Sequence, residues 1–153
     1  MPRIEFDMDT SLPPDKVIAM LTDFSEQRPD TWPGLPAAVY HAYSVGDKMA
    51  EIREGNEKPN IWNRQRYDWS TPGRVRCEVV ESNFCTPGNF EEYNVQPRDP
   101  AGSRLHVTWQ REPTTLKGRI VISIVALTQG AILKASLNKG LKKAEKEVPA
   151  SSH

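Results

Sequence analysis

Over residues 3–11, Ile4, Phe6 and Met8 alternate with Glu5, Asp7 and Asp9, the period of two that marks a strand with one buried face. Pro13-Pro14-Asp15 then opens a helix. Proline is tolerated in a first turn, Asp15 suits the positive end of the dipole, and Val17, Ile18, Leu21 and Phe24 form the inner stripe. A second short helical piece is expected over 25–32, stopped by Pro33-Gly34. Residues 38–45 read as a strand with Val39, His41, Tyr43 and Val45 on one side. Gly46-Asp47 turns it into 48–54, and 55–60 is a polar turn before the next strand.

Four further segments, 61–70, 74–84, 89–97 and 103–112, are separated by Thr71-Pro72-Gly73, Thr86-Pro87-Gly88 and the stretch 98–102, which predicts an antiparallel meander. A slip of one residue moves every side chain to the other face, so register can be tested by parity. A three-residue first loop sets Trp69 opposite Val75 and Tyr67 opposite Cys77, and pairs Asp68 with Arg76 and Arg66 with Glu78 on the other face. A two-residue loop would set Trp69 against Arg76 and Asp68 against Cys77, so an odd loop is expected. One concave face then collects Tyr67, Trp69, Val75, Cys77, Val79, Tyr93, Val95, Leu105, Val107 and Trp109.

The period changes after residue 116. Ile120, Ile124, Leu127 and Ala131, then Leu133, Leu137, Leu141 and Ala144, follow spacings of three and four, the mark of a helix with one buried face. Gly130 costs only about 1 kcal/mol relative to alanine, so a kink or a change of face is expected there rather than an end. Lys139, Lys142, Lys143 and Lys146 crowd the last turns, where cations suit the dipole. At ~1.5 Å per residue a helix over 116–147 spans roughly 40 Å, enough to cross a small domain. The economical architecture is a curved sheet closed over this helix.

The concave face is not purely apolar. Asn63, Gln65, Glu81, Asn83, Glu91 and Arg111 share its parity, and an isolated buried carboxylate demands a partner, a raised pKa or water. Aromatic rings and a few convergent polar groups, enclosed by strands and capped by a helix, describe a pocket for a small organic molecule.

At 153 residues the chain is expected to form one domain over 1–147 with a polar tail at 148–153. Twenty basic residues balance twenty acidic ones, which removes the global field that nucleic acid would answer to. Arg64, Arg66, Arg74 and Arg76 look like a basic patch, but parity is expected to spread them over both faces, offset by Glu78 and Asp68. No apolar run approaches the ~20 residues of a bilayer span, and residues 1–9 have no signal-peptide core, so a cytoplasmic protein without an integral membrane segment is expected. Cys77 and Cys85 lack metal-site spacing and are expected as reduced thiols. There is no GxGxxG, no GxxxxGK[ST] and no HExxH, so no cofactor or metal is called for.

The order of strand, two short helices, six antiparallel strands and a terminal helix resembles the helix-grip fold of the START/Bet v 1-like (SRPBCC) superfamily. Residues 24–35 (FSEQRPDTWPGL), 67–70 (YDWS) and 84–89 (FCTPGN) resemble its actinobacterial polyketide cyclase/dehydrase-like subgroup. The resemblance implies an α+β fold, with a curved seven-stranded antiparallel sheet wrapped around a long C-terminal helix and two short helices after strand one. It also implies a ligand cavity between sheet and helix, and carries over no catalytic residue.

The expected ligand-binding residues are Tyr67, Trp69, Glu81, Tyr93, Trp109 and Arg111, with His41 and Tyr43 from the second strand and Ile120 and Ile124 from the helix. Each has a bland counterpart. Glu81 is a candidate general acid or base, or a carboxylate paired with Arg111 at the cavity mouth; His41 could transfer a proton, or sit hydrogen-bonded in the core. The tryptophans could stack on a flat ligand or fill a curved sheet. Cys77 reads as a small apolar filler, and Cys85 lacks an identifiable activating neighbour. The first functional expectation is binding or transport of a hydrophobic small molecule (a lipid, polyketide or aromatic compound) by a monomer or homodimer. The alternative is a cyclase or aromatase that folds a poly-carbonyl chain and moves protons with Glu81, His41 or a tyrosine.

Overall fold

The computed structural model describes residues 3–32, 35–128 and 130–147. The expected stop at Pro33-Gly34 and the tail at 148–153 lie outside the described residues. Seven strands, β1 (Arg3–Thr10), β2 (His41–Val45), β3 (Met49–Asn56), β4 (Ile61–Asp68), β5 (Arg74–Ser82), β6 (Phe90–Pro97) and β7 (Ser103–Gln110), make one sheet in the order β1-β7-β6-β5-β4-β3-β2. Every neighbouring pair is antiparallel. Helices α1 (Pro14–Leu21) and α2 (Arg28–Thr31) follow β1, while α3 (Leu116–Leu127) and α4 (Ala131–Glu147) close the chain over the sheet. This is the helix-grip α+β fold.

The register follows parity where the ladder is regular. β4 and β5 pair Tyr67 with Cys77, Asp68 with Arg76 and Arg66 with Glu78. Carried across the sheet, one inner row runs Ala50, Tyr67, Cys77, Glu91, Trp109, Ile4, and the next runs Val75, Tyr93, Val107, Phe6. Glu91 therefore stands in an otherwise largely apolar row, between Cys77 and Trp109.

Among the described residues the register shifts twice, once in β2 between Ala42 and Ser44, which leaves Tyr43 as the extra residue, and once in β5. Gln65 pairs with Val79 but Arg64 pairs with Glu81, so Val80 is the extra residue. Val80 and Glu81 are both exposed, and the expected inward Glu81 belongs to the solvent face.

The expected continuous helix is two helices whose axes bend by 77°. Gly130 adopts φ +81, and a Cβ there would lie 2.6 Å from Cγ2 of Ile4. Glycine takes this left-handed conformation without the strain that a Cβ would bring, and it sits at the bend between α3 and α4. The face of α3 is also the reverse of the expected one: Gly118, Ile122 and Val125 are buried, while Ile120, Ile124 and Leu127 are 54%, 49% and 83% exposed. Both stripes are apolar, so periodicity does not choose between them. The seating does, because Gly118 lies against the Phe84 carbonyl so closely that a Cβ would come within 2.3 Å of its oxygen. On α4, Leu137 and Leu141 are buried as their spacing predicts.

The core divides in two. Under α3, Ile4, Ile61, Val79, Phe84, Trp109, Ile122 and Val125 pack together; under α1 and α4, Val17, Leu21, Phe24, Tyr67, Tyr93, Val107, Leu137 and Leu141 do so, and Phe6 touches both clusters. Among the described residues no single helix is long and apolar enough to cross a membrane.

Candidate functional site

Between the two core clusters the sheet and α4 leave a cavity of about 390 Å³. Its apolar wall comes from Phe6, Leu21, Trp32, Leu35, Val107 and, on α4, Ile132, Leu133 and Leu137. Its polar wall holds Arg28, Glu54, Gln65, Tyr67, Glu91 and Tyr93. Five of these, joined by Arg111 from outside the lining, form two Arg–Glu–Tyr units.

The first unit is closed on itself. Arg28 is 3% exposed, and its Nε donates to Oε2 of Glu54 at 3.0 Å. Its Nη1 donates to the carbonyls of Leu21 at 3.1 Å and Asp23 at 3.0 Å, and Nη2 to the Tyr67 hydroxyl at 3.2 Å. The Tyr67 hydroxyl donates to Oε1 of Glu54, so both carboxylate oxygens carry a hydrogen bond. The guanidinium also lies over the rings of Phe24, Tyr67 and Trp32, at 4.6, 5.4 and 5.6 Å from their centres. Burial opposes its charge, but Glu54 and Tyr67 more than compensate and hold the proton more firmly than usual. Burial, reinforced by Glu54, pushes the Tyr67 hydroxyl well above the ordinary tyrosine value.

The second unit is less complete. Tyr93 donates to Oε1 of Glu91, while Nη2 of Arg111 lies 3.8 Å from Oε2 of Glu91, too long for a hydrogen bond. Arg111 instead donates to Oε1 of Gln65 at 3.4 Å and to the Gln110 carbonyl at 2.9 Å, with its guanidinium 5.3 Å from the Trp109 ring centre. Burial raises the Glu91 carboxyl above the ordinary carboxylate value despite the opposing pull of Arg111 and Tyr93. Burial and the Glu91 charge together push Tyr93 well up. Cys77, between Tyr67 and Glu91 in the sheet, is raised by burial, which leaves it a thiol rather than a nucleophilic thiolate.

The residues expected at the site separate accordingly. Tyr67 and Tyr93 line the cavity, and Arg111 stands behind Glu91. Trp109 is buried but packs beneath α3, where the space is filled. Trp69 lies beyond the end of β4 and packs against Phe24, its ring 5.8 Å away. Glu81 is turned outward by the bulge. His41 and Tyr43 are exposed, because Tyr40 and Ala42 are the residues that β2 and its approach turn toward the core; His41 meets Tyr43 edge to face, and Arg64 lies over the Tyr43 ring at 4.0 Å. Ile120 and Ile124 occupy the outer stripe of α3. The four arginines expected on both faces all lie on the convex one, Arg64 and Arg66 paired with Glu51 and Arg74 and Arg76 with Glu92. Among the described residues no three His, Cys, Asp or Glu side chains converge as a metal site requires.

Arg28 and Glu54 were not among the expected site residues. Glu54 had a signal, since it shares strand parity with the buried Ala50 and Ile52. Arg28 had none in its local sequence.

A curved sheet wrapped around a helix over a partly polar cavity is an arrangement that recurs in solved structures. An aromatase/cyclase from a Streptomyces species matches at a TM-score of 0.77 with 16% identity, over 98% of this chain and 97% of that one. A START superfamily protein from Mycobacterium smegmatis matches at 0.74 with 11% identity, over 97% and 100%. Norcoclaurine synthase from Thalictrum flavum, in complex with dopamine and hydroxybenzaldehyde, matches at 0.71 with 10% identity, over 96% and 88%. The chain has the helix-grip fold of the START/Bet v 1-like proteins. No family model and no curated protein matches the sequence, so the likeness is one of fold.

Proposed function

We propose that the protein binds a hydrophobic small molecule, a lipid, polyketide or other aromatic compound, in the cavity beneath α4. The observation that carries this reading is the cavity itself, about 390 Å³ of space with an apolar wall facing a polar one. That size falls within the range of small-molecule sites, and burying ~200 Å² of apolar ligand surface at ~25 cal/mol per Å² supplies on the order of 5 kcal/mol. The balanced charge of the chain supports a partner of this kind over nucleic acid.

The test is native mass spectrometry of the purified protein for a retained apolar compound, together with titration of a hydrophobic fluorophore into the wild type and Ser136→Trp. Ser136 lines the cavity from α4, so an indole there fills the space. Retention or saturable binding, lost in Ser136→Trp with the fold intact by circular dichroism, supports the reading. Binding that Ser136→Trp leaves unchanged places the ligand elsewhere, and the absence of any binding removes the proposal.

A second reading, an aromatase/cyclase-type enzyme, is favoured by the Tyr93–Glu91 pair bordering the cavity. A poly-carbonyl chain folded there would give an acidic C–H proton to the Glu91 carboxylate, whose pKa is shifted in the direction a general base at neutral pH needs. The resulting enolate carbon would attack a second carbonyl of the same chain, gaining rate from enforced proximity, and the alkoxide oxygen formed there would recover the proton. Turnover of a model poly-carbonyl substrate that Glu91→Gln abolishes would move the protein from the first reading to this one.

A further inference from the structure

The two Arg–Glu–Tyr units have the same composition but not the same completeness. In the Arg28 unit every acceptor is served, since Oε2 of Glu54 takes the Arg28 Nε–H and Oε1 takes the Tyr67 O–H. The Arg28 guanidinium is itself engaged by Glu54, by Tyr67 and by two backbone carbonyls, so it has little left to offer a ligand. In the Arg111 unit, Oε1 of Glu91 takes the Tyr93 O–H, but among the described residues Oε2 of Glu91 accepts no hydrogen bond. Arg111 neutralises its charge from 3.8 Å without reaching it, being held by Gln65 and the Gln110 carbonyl.

Glu91 borders the cavity, and its side chain keeps 20% exposure. A carboxylate accepts up to about four hydrogen bonds, and one set in a mostly apolar row is costly until its lone pairs are met. Tyr67 and Tyr93 both spend their only O–H on carboxylates, so neither hydroxyl is free to donate to a ligand. Among the described residues the indole N–H of Trp32 has no partner, and that atom is closed to solvent.

We infer that Glu91 anchors the ligand by accepting a hydrogen bond at Oε2, and that the cavity selects molecules which carry a hydroxyl, phenol or amine donor on an apolar body. Aprotic isosteres and carboxylates are discriminated against: the former leave Oε2 unmet, and the latter bring a second negative charge beside Glu91. This deepens the small-molecule reading above and rests on it.

The experiment is a matched panel on the wild-type protein: 2-naphthol, 2-methoxynaphthalene and 2-naphthoate, with affinities measured by displacement of a fluorophore and by calorimetry. The expected result is that 2-naphthol binds roughly tenfold or more tighter than its methyl ether, the factor that ~1.4 kcal/mol from one hydrogen bond to a charged group supplies. Naphthoate is expected to bind weakest. In Glu91→Gln the methyl ether should bind as before while the naphthol advantage shrinks to a few fold. Glu81→Gln, on the solvent face, should leave the whole panel unchanged. Equal affinities for naphthol and its ether in the wild type, or a preference for naphthoate, overturn the inference while leaving the cavity reading standing. If no member of the panel displaces the fluorophore, the inference falls, and the cavity reading is then decided by whether the fluorophore itself binds. Should Glu91→Gln fail to fold, the wild-type panel decides alone.

Discussion

Removing the Arg28 charge tests the closed polar unit most directly. In Arg28→Met an unbranched apolar chain keeps much of the packing against Phe24 and Trp32 but deletes the cation that faces Glu54. Arg28 is 3% exposed and the Glu54 side chain 16%, so solvent does little to replace the lost partner. Breaking one side of a buried ion pair typically costs about 3–5 kcal/mol, because the remaining charge is left unpaired. Glu54 keeps its hydrogen bond from Tyr67 and borders the cavity, both of which moderate the loss, so the lower part of that range, ~3 kcal/mol, is the expectation. The Leu21 and Asp23 carbonyls also lose their donor, which adds to the cost. Urea unfolding followed by tryptophan fluorescence reads it: with m near ~2 kcal/mol per M, the midpoint falls by about 1.5 M. The double variant Arg28→Met/Glu54→Gln removes the stranded charge and should recover at least ~1 kcal/mol relative to the single one. A single-variant loss below ~1 kcal/mol, or a double variant no better than Arg28→Met, would refute the assignment of Arg28 and Glu54 as one interdependent buried unit.

Other consequences are independent of the cavity. Gly130→Ala forces a Cβ into the left-handed region and against Ile4, so a melting temperature lowered by several degrees, corresponding to about 1–3 kcal/mol, is expected; an unchanged value would mean that the two helices reorient freely. His106 hydrogen-bonds Asp7 at 2.9 Å and Glu5 at 3.1 Å, and these raise its pKa above 6.5. Its stabilising contribution is therefore fully present below about pH 6.5 and lost as the pH rises through the higher folded-state value. The stability gap between wild type and His106→Gln, measured by urea unfolding from about pH 6 to about pH 9, should close with rising pH; a gap that is constant or grows contradicts the assigned partners. Glu81→Gln should leave both stability, within about 0.5 kcal/mol, and ligand affinity unchanged, since the bulge sets that carboxylate in solvent.

Legibility followed the kind of physics that fixed each feature. Strand order and register were readable because the period-two pattern and the odd-length turn at 71–73 leave one pairing that satisfies both faces, and the pairing of Tyr67 with Cys77 realises it. The same parity places Glu91, Gln65 and Arg111 on the inner side. What parity could not reveal was an inserted residue, since nothing in Val79-Val80 distinguishes a paired valine from a bulged one, and Glu81 was misplaced as a result. Periodicity likewise fails where a helix is apolar all round: α3 offers two stripes, and the contact of Gly118 with Phe84, made across the fold, selects one.

Arg28 is the extreme case. It lies in a four-residue helix that by composition belongs to a solvated surface, and its burial is created by Glu54 and Tyr67 arriving from elsewhere in the fold together with Phe24 just before it in the chain. The contrast between the two units follows from this difference. A charge whose every hydrogen bond is answered from within the chain can be explained by the needs of folding alone. A carboxylate visible to parity, set in an apolar row and bordering the cavity with an oxygen that accepts no hydrogen bond among the described residues, is not explained that way. For Glu91 the unmet valence is the argument for a ligand, and for Glu54 its absence is the argument against one.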